Sequence, residues 1–317
     1  MDREDVLGAA DRIRGLVRRT PVQRVDAGDD WLPGGGWLKV ELLQHTGTFK
    51  ARGAFNRILA ARERGELDAR VGIVVASGGN AGLANAYAAA ALGVPATVFV
   101  PTTSSPTKLH RLEEYGARVV ARGTEYAEAF DAAMEHVASS GAVYCHAYDQ
   151  PEIVAGAGTL GLELLDQVDG AVDTVVVAVG GGGLMAGVAT AVSGRARVVG
   201  VEPARAPTLD RALAAGGPVD VPVSGIAADS LGARRLGAIA WETVRRTGVH
   251  NVLVEDGDLQ AARHALWERY RLVVEPGAAA ALAALTSGGY RPAPDERVAV
   301  VLCGANTDPA DLAGPPT

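Results

Sequence analysis

Short apolar runs that end on glycines and give way at once to a helical pattern constrain this chain more than any other feature. The run 72–76 breaks at Gly78-Gly79 and resumes as an alanine-rich helix near 81–92. The run 174–178 breaks at Gly180-Gly181-Gly182-Gly183 and resumes as a helix over 184–192. A chain written strand, glycine turn, helix, strand returns to its sheet through a right-handed helical crossover, which gives parallel neighbours. Further strands are expected at 37–41, 96–100, 117–121, 142–145, 198–201 and 298–302. Further helices are expected near 3–17, 49–64 and 107–115, and from Gly156 after a loop holding Pro151. The fold class is therefore α/β, with two parallel-sheet layers and a crevice between them as the natural ligand site. The last residues, 315–317, read as a frayed tail.

With 48% hydrophobic and 21% charged residues, the 317-residue chain can bury one large or two medium cores. A net charge of −7 without blocks of like charge gives no basic stripe, so nucleic acid and anionic membrane are excluded as partners and a small molecule is expected. The uncharged stretches 71–107 and 174–194 are long enough to span a bilayer, but glycines and Pro95 break them into strand, turn and helix. Two cysteines, Cys145 and Cys303, cannot make a disulfide framework, and the mixed-charge start 1–5 is no secretory leader. A reduced, cytoplasmic protein is expected. The six histidines show no metal spacing, so no metal site is predicted, and His110 with Glu113 reads as one solvated helix face.

Gly180, Gly181, Gly182 and Gly183 leave backbone amides bare at a helix start, a place for a phosphate. Read as Gly181-x-Gly183-x-x-Ala186 with Glu202 closing the next strand, the same loop fits a dinucleotide fingerprint and an oxidoreductase. The turn Ser77-Gly78-Gly79-Asn80-Ala81 repeats the pattern and suits a second anion, such as a substrate carboxylate. Asn80 there either caps the helix or donates to a ligand oxygen. Lys50 stands just inside a helix in a segment poised to enter the core. A lysine there is either a solvated surface residue or a desolvated amine suited to Schiff-base formation and proton abstraction.

Five motifs stand in order: Gly47-Thr48-Phe49-Lys50-Ala51-Arg52-Gly53-Ala54, Ser77-Gly78-Gly79-Asn80-Ala81, Gly180-Gly181-Gly182-Gly183-Leu184, Glu275-Pro276-Gly277-Ala278 and Cys303-Gly304-Ala305-Asn306. Together they resemble the serine/threonine dehydratases, a family of the tryptophan-synthase-β-like, fold-type-II pyridoxal-phosphate enzymes, over about residues 6–311. The resemblance implies two α/β domains, a larger one from 1–50 and 146–317 and a smaller inserted one over 51–145, with pyridoxal 5'-phosphate in the cleft of a homodimer. It implies that Lys50 carries the cofactor covalently, that Phe49 packs by its ring, and that Asn80 contacts the ring hydroxyl. By the same resemblance Gly180 to Leu184 hold the phosphate, Ser77 to Ala81 hold the substrate carboxylate, and Cys303 faces the ring nitrogen.

The implied reaction is loss of ammonia from threonine, serine or a related β-hydroxyamino acid. Lys50 takes the Cα proton, and the cofactor phosphate is the candidate proton donor to the departing hydroxyl, since the sequence offers no obvious acid there. A racemase or β-substitution enzyme of the same fold is the alternative. Racemases of this fold carry a serine two residues before the asparagine, where this chain has Gly78, so weak racemisation is expected. Their Glu-x-x-x-Ala-x-Asp cation run becomes Glu202-Pro203-Ala204-Arg205-Ala206-Pro207-Thr208, so any site there should be weak or monovalent. The sequence stops soon after Asn306, so neither a C-terminal regulatory domain nor isoleucine inhibition is expected.

Overall fold

The computed structural model describes residues 1–312; the tail expected to fray, 315–317, lies outside the described residues. The strands are β1 (Val22–Val25), β2 (Gly36–Lys39), β3 (Ile73–Ala76), β4 (Ala96–Val100), β5 (Arg118–Ala121), β6 (Val143–Tyr144), β7 (Thr174–Ala178), β8 (Arg197–Pro203), β9 (His250–Val254) and β10 (Val298–Val301). The helices are α1 (Arg3–Arg12), α2 (Lys50–Glu63), α3 (Asn80–Ala91), α4 (Pro106–Glu114), α5 (Tyr126–Ser140), α6 (Pro151–Gln167), α7 (Gly183–Ala191), α8 (Thr208–Ala215), α9 (Ala238–Thr247), α10 (Asp256–Tyr270) and α11 (Pro276–Thr286).

Two sheets result. One has the order β1-β2-β10-β7-β8-β9 and the other β5-β4-β3-β6. All pairings are parallel except β1 with β2, so the larger sheet ends in an antiparallel edge strand that the apolar pattern did not announce. The Val-Gln-Arg-Val run of β1 is mostly exposed, as an edge strand is, and carries no continuous apolar signal. The strand expected at 37–41 stops at Lys39 because Glu41 turns into a 3-10 segment, Glu41–Leu43. The opening helix expected over 3–17 ends at Arg12, ahead of the left-handed Gly15. The helix expected from Gly156 starts earlier, at Pro151. Proline at the first helical position costs no hydrogen bond, so it opens this helix instead of blocking it.

The strands β3 and β7 are wholly buried and end on the glycine turns that start α3 and α7, so both turns lie at the carboxyl ends of parallel strands. Helices α2, α6 and α7 pack closely through glycines. A Cβ on Gly156 would lie 2.6 Å from the Arg52 carbonyl oxygen, and one on Gly158 would lie 2.7 Å from that of Gly187.

A buried charge cluster fixes the start of α2. The Arg52 guanidinium, 1% exposed, donates from Nε to Glu41 Oε1 at 2.5 Å and from Nη2 to Glu163 Oε2 at 3.0 Å. Lys39, fully buried, donates to the other Glu163 oxygen at 2.5 Å and to Gln167 Oε1 at 2.7 Å. Burial pushes the Lys39 amine down although Glu163 opposes it, and Arg52 and Lys39 hold Glu163 low against its own burial. Removing Arg52 leaves the buried Glu41 without its counter-charge, while Glu163 keeps Lys39. Arg52→Ala should therefore lower the unfolding free energy by about 3–5 kcal/mol. Denaturant titration checks this, and a loss below about 1 kcal/mol would mean that water or neighbouring groups satisfy Glu41 unaided.

Candidate active site

Both glycine turns open into one cavity of about 950 Å³. Every residue nominated from the sequence lines it: Phe49 and Lys50 on one wall, Ser77 to Ala81 on a second, Gly180 to Leu184 on a third, and Cys303 at the floor end of β10. What joins these distant segments is backbone pairing. Phe49 N–H donates to Cys303 O at 3.1 Å, Thr48 bridges Gly304, and Ala305 N–H donates to Gly47 O at 2.9 Å. The segment before Lys50 is thus zipped to the end of β10.

Lys50 begins α2, and among the described residues its Nζ meets no carboxylate at hydrogen-bond distance. It donates to Ala147 O at 3.1 Å and lies 4.9 Å from the Phe49 ring centroid. Burial drives the amine below its ordinary value, with Cys303 and Glu275 pulling weakly the other way. The result is an amine biased towards its neutral, nucleophilic form. Burial also pushes the Cys303 thiol well above its ordinary value, so this residue is an uncharged thiol.

The helix starts are built for anions. Neither α3 nor α7 has a side-chain cap, so their first amides stay unspent. Gly182 takes the left-handed conformation at φ +84°. A Cβ on Gly181 would overlap the Tyr148 ring, so this position must be bare for Tyr148 to cover the loop. Behind the loop, Thr208 Oγ1 donates to Gly180 O at 2.5 Å and lies 2.9 Å from Glu202 Oε1. Glu202 is fully buried and accepts from Leu209 N, Asp210 N and Asn251 Nδ2, at 2.6, 2.9 and 3.3 Å. It therefore caps α8 and is closed to a ribose, which removes the acid that the dinucleotide reading needs.

Glu275 belonged to a quoted motif but received no role. It lines the cavity, is 5% exposed, and accepts from Asn80 Nδ2 at 2.8 Å and from Asn306 N at 3.2 Å. Burial pushes it up to about 7 against those hydrogen bonds and Lys50. The cavity thus holds a carboxyl that sequence reasoning missed. Its signal was its place immediately before Pro276, at a helix start. His146 and Tyr148 were also missed. His146 Nδ1 accepts from Tyr148 N and Asp149 N, and burial lowers its pKa, with Lys50 adding and Asp149 opposing.

The residues fit pyridoxal phosphate: an amine that burial biases towards its neutral form, a bare glycine cradle at a helix start, and a buried thiol in one cavity. Comparison with known proteins agrees. The profile described as pyridoxal-phosphate-dependent enzyme matches residues 13–304. A phenylserine dehydratase of Ralstonia pickettii is 40% identical over 98% of this chain and 95% of its own length. An L-threonine ammonia-lyase of Geobacter sulfurreducens is 38% identical over 95% of this chain and 74% of its own. The structure of maize serine racemase superposes with a TM-score of 0.90 at 30% identity, covering 98% of this chain and 95% of that one.

The Glu202 carboxyl moves from an ordinary 4.5 to about 7 on folding, because burial disfavours its charge. The folded chain then holds the extra proton between those values, so stability due to this group falls as pH rises through that window and is constant above it. The melting temperature of the native protein minus that of Glu202→Gln should decline between about pH 5 and 7.5. A pH-independent difference would show that Glu202 stays ionised in the folded chain.

Proposed function

Because the chain belongs to the pyridoxal-phosphate-dependent enzymes, we propose that it is an ammonia-lyase that converts a β-hydroxyamino acid to a 2-oxo acid and ammonia. The observation that carries this reading is the Lys50 amine, depressed by burial, in one cavity with two uncapped, glycine-headed helix starts. One start suits a cofactor phosphate and the other a substrate carboxylate.

In this reading Lys50 holds the cofactor covalently, Gly180, Gly181, Gly182, Gly183 and Leu184 hold its phosphate, Asn80 meets its ring hydroxyl, Phe49 flanks the ring and Cys303 meets the ring nitrogen. When bound, the cofactor supplies the sink for the electron pair left by the Cα proton. The amides of the turn from Ser77 to Ala81 orient the substrate carboxylate, and Lys50, once free, accepts the Cα proton at Nζ. Tyr148 and the Gly180 loop close the phosphate end against water. Residues 51–145 are proposed as a smaller inserted domain, supported by the confinement of all four strands of the smaller sheet to that stretch. A reduced, cytoplasmic setting is proposed from two buried, unpaired cysteines, and a homodimer from the family resemblance. Among the described residues no helix is long and apolar enough to cross a membrane.

Tyr126, His146 and Tyr148 also line the cavity, so the substrate panel should include phenylserine beside threonine and serine. Lys50→Ala should lose ammonia release by about 10³-fold or more and should lose borohydride-trappable cofactor as well. Turnover retained in that variant removes Lys50 from the mechanism.

Gly78 separates elimination from racemisation. It leaves the face at the carboxylate turn without a hydroxyl on that residue, and an added Cβ would lie 3.2 Å from Val100 Cγ1, close enough to require a small shift. Gly78→Ser should raise the ratio of D-serine to pyruvate formed from L-serine, measured by chiral chromatography. A native enzyme that already forms both at comparable rates would contradict the role given to this position.

A further inference from the structure

The proposed mechanism gives Glu275 and Asn306 no role, yet they enclose Asn80. The Asn306 side chain is fully engaged. Its Nδ2 hydrogens go to Thr46 O at 2.9 Å and Asn80 Oδ1 at 2.7 Å, and its Oδ1 accepts from Arg111 Nη2 at 2.8 Å. An arginine can only donate and a backbone carbonyl can only accept, so the Asn306 amide has one allowed orientation. Turning it over would set oxygen against the Thr46 and Asn80 oxygens and nitrogen against Arg111. Asn306 in turn fixes its neighbour: Asn80 Oδ1 must face Asn306 Nδ2, and Asn80 Nδ2 faces Glu275 Oε1 at 2.8 Å. The backbone N–H of Asn306 holds the second Glu275 oxygen at 3.2 Å. Asn80 lines the cavity with one amide hydrogen left over.

We infer that Asn306 and Glu275 are positioning residues that lock the Asn80 amide so that it offers the cleft a donor and never its carbonyl. The inference rests on the proposed reading in which the ring hydroxyl of pyridoxal phosphate lies against Asn80. A donor there makes the ring oxygen the acceptor and favours its deprotonated form, the stronger acceptor. The chain from Arg111 through Asn306 and Asn80 to Glu275 thereby carries a fixed hydrogen-bond polarity from the half-buried helix α4 to the cofactor.

Replacing the lock separates orientation from simple support. Asn306→Asp is isosteric and keeps a partner for Arg111, but shows Asn80 only acceptors, so the Asn80 amide turns over, its Oδ1 accepting the proton of Glu275, a carboxyl that burial pushes up to about 7, and its orientation towards the cleft is reversed. Asn306→Ala loses all of the hydrogen bonds of the side chain but forces no reversal. In holoenzymes at neutral pH, the share of cofactor absorbance in the visible band should fall in the order native, Asn306→Ala, Asn306→Asp, with the lost intensity gained in the near ultraviolet. For Asn306→Asp, kcat should fall about tenfold with little change in KM, the effect of one misdirected hydrogen bond. The opposite order, with Asn306→Ala the more perturbed, is that of a merely structural residue and overturns the inference, as does an unchanged Asn306→Asp spectrum. If Asn306→Asp does not fold, Glu275→Gln takes its place. Its amide cannot accept from both Asn80 and Asn306, so its visible band should also shrink, and an unchanged band overturns the inference. A native protein that takes up no cofactor, or shows no visible band with it, overturns the proposed function and this inference together. A normal native band lost in Lys50→Ala but kept in both replacements leaves the function standing and overturns the lock alone.

Discussion

The charge pair of Arg52 with Glu41 and Glu163 sets where everything else in the cleft can be. Arg52 stands two residues after Lys50 in the first turn of α2, and its partners come from the segment after β2 and from α6. Once that guanidinium is satisfied, the helix can neither rotate nor slide without exposing buried carboxylates to an apolar interior. Lys50 is therefore held from behind by charge and from in front by the zipped pairing of Gly47 to Phe49 with Cys303 to Ala305. A long, flexible side chain acquires a fixed root, which, on the proposed reading, a base acting on one Cα hydrogen requires.

The strands and turns that carry the site were legible because each is a buried parallel strand, where apolar residues run continuously and glycines mark the exit. The edge strands of the larger sheet lack that signature, whereas β5 and β6, the edges of the smaller sheet, still showed as short apolar runs. The burial of β9 alternates and that of β1 is mostly on one end, so neither gave a continuous run, and α8 to α11 fell between signals. Lys50, Asn80, the glycine loop and Cys303 could be nominated because each lies in a local motif. The Glu275 carboxyl could be quoted but not given a role, since its meaning depends on Asn80 and Asn306, brought to it from far along the chain. Tyr148 had no motif at all. Its role is to fill the space that Gly181 leaves, and a side chain defined by another residue's missing Cβ has no signal of its own.

Glu202 shows how the same residue pattern changes meaning with one neighbour. Read from sequence, an acid at the end of β8 serves a ribose or a cation. In the fold, Thr208 supplies a hydroxyl where a second carboxylate would have gathered like charge, and the backbone of Leu209 and Asp210 closes over Glu202. The group becomes a helix cap, and the Thr208 hydroxyl beside it donates to the carbonyl of Gly180, so the glycine loop is braced by hydrogen bonds among this chain's own residues.

The electrostatics of the cleft lean towards neutrality throughout. Burial lowers the Lys50 amine and raises Glu275 and Cys303, and each shift disfavours the charged form. On the proposed reading, a neutral thiol gives the ring nitrogen no charged partner, so the electron pair released at Cα is only weakly retained by the cofactor. Departure of the β-hydroxyl is the outlet that remains. Reprotonation from the opposite face would need an acid at residue 78, where the chain has glycine, and transamination would need the pair to be retained for longer. The preference for elimination thus follows from two absences, of a charge at Cys303 and of a side chain at Gly78, set against one well-rooted base.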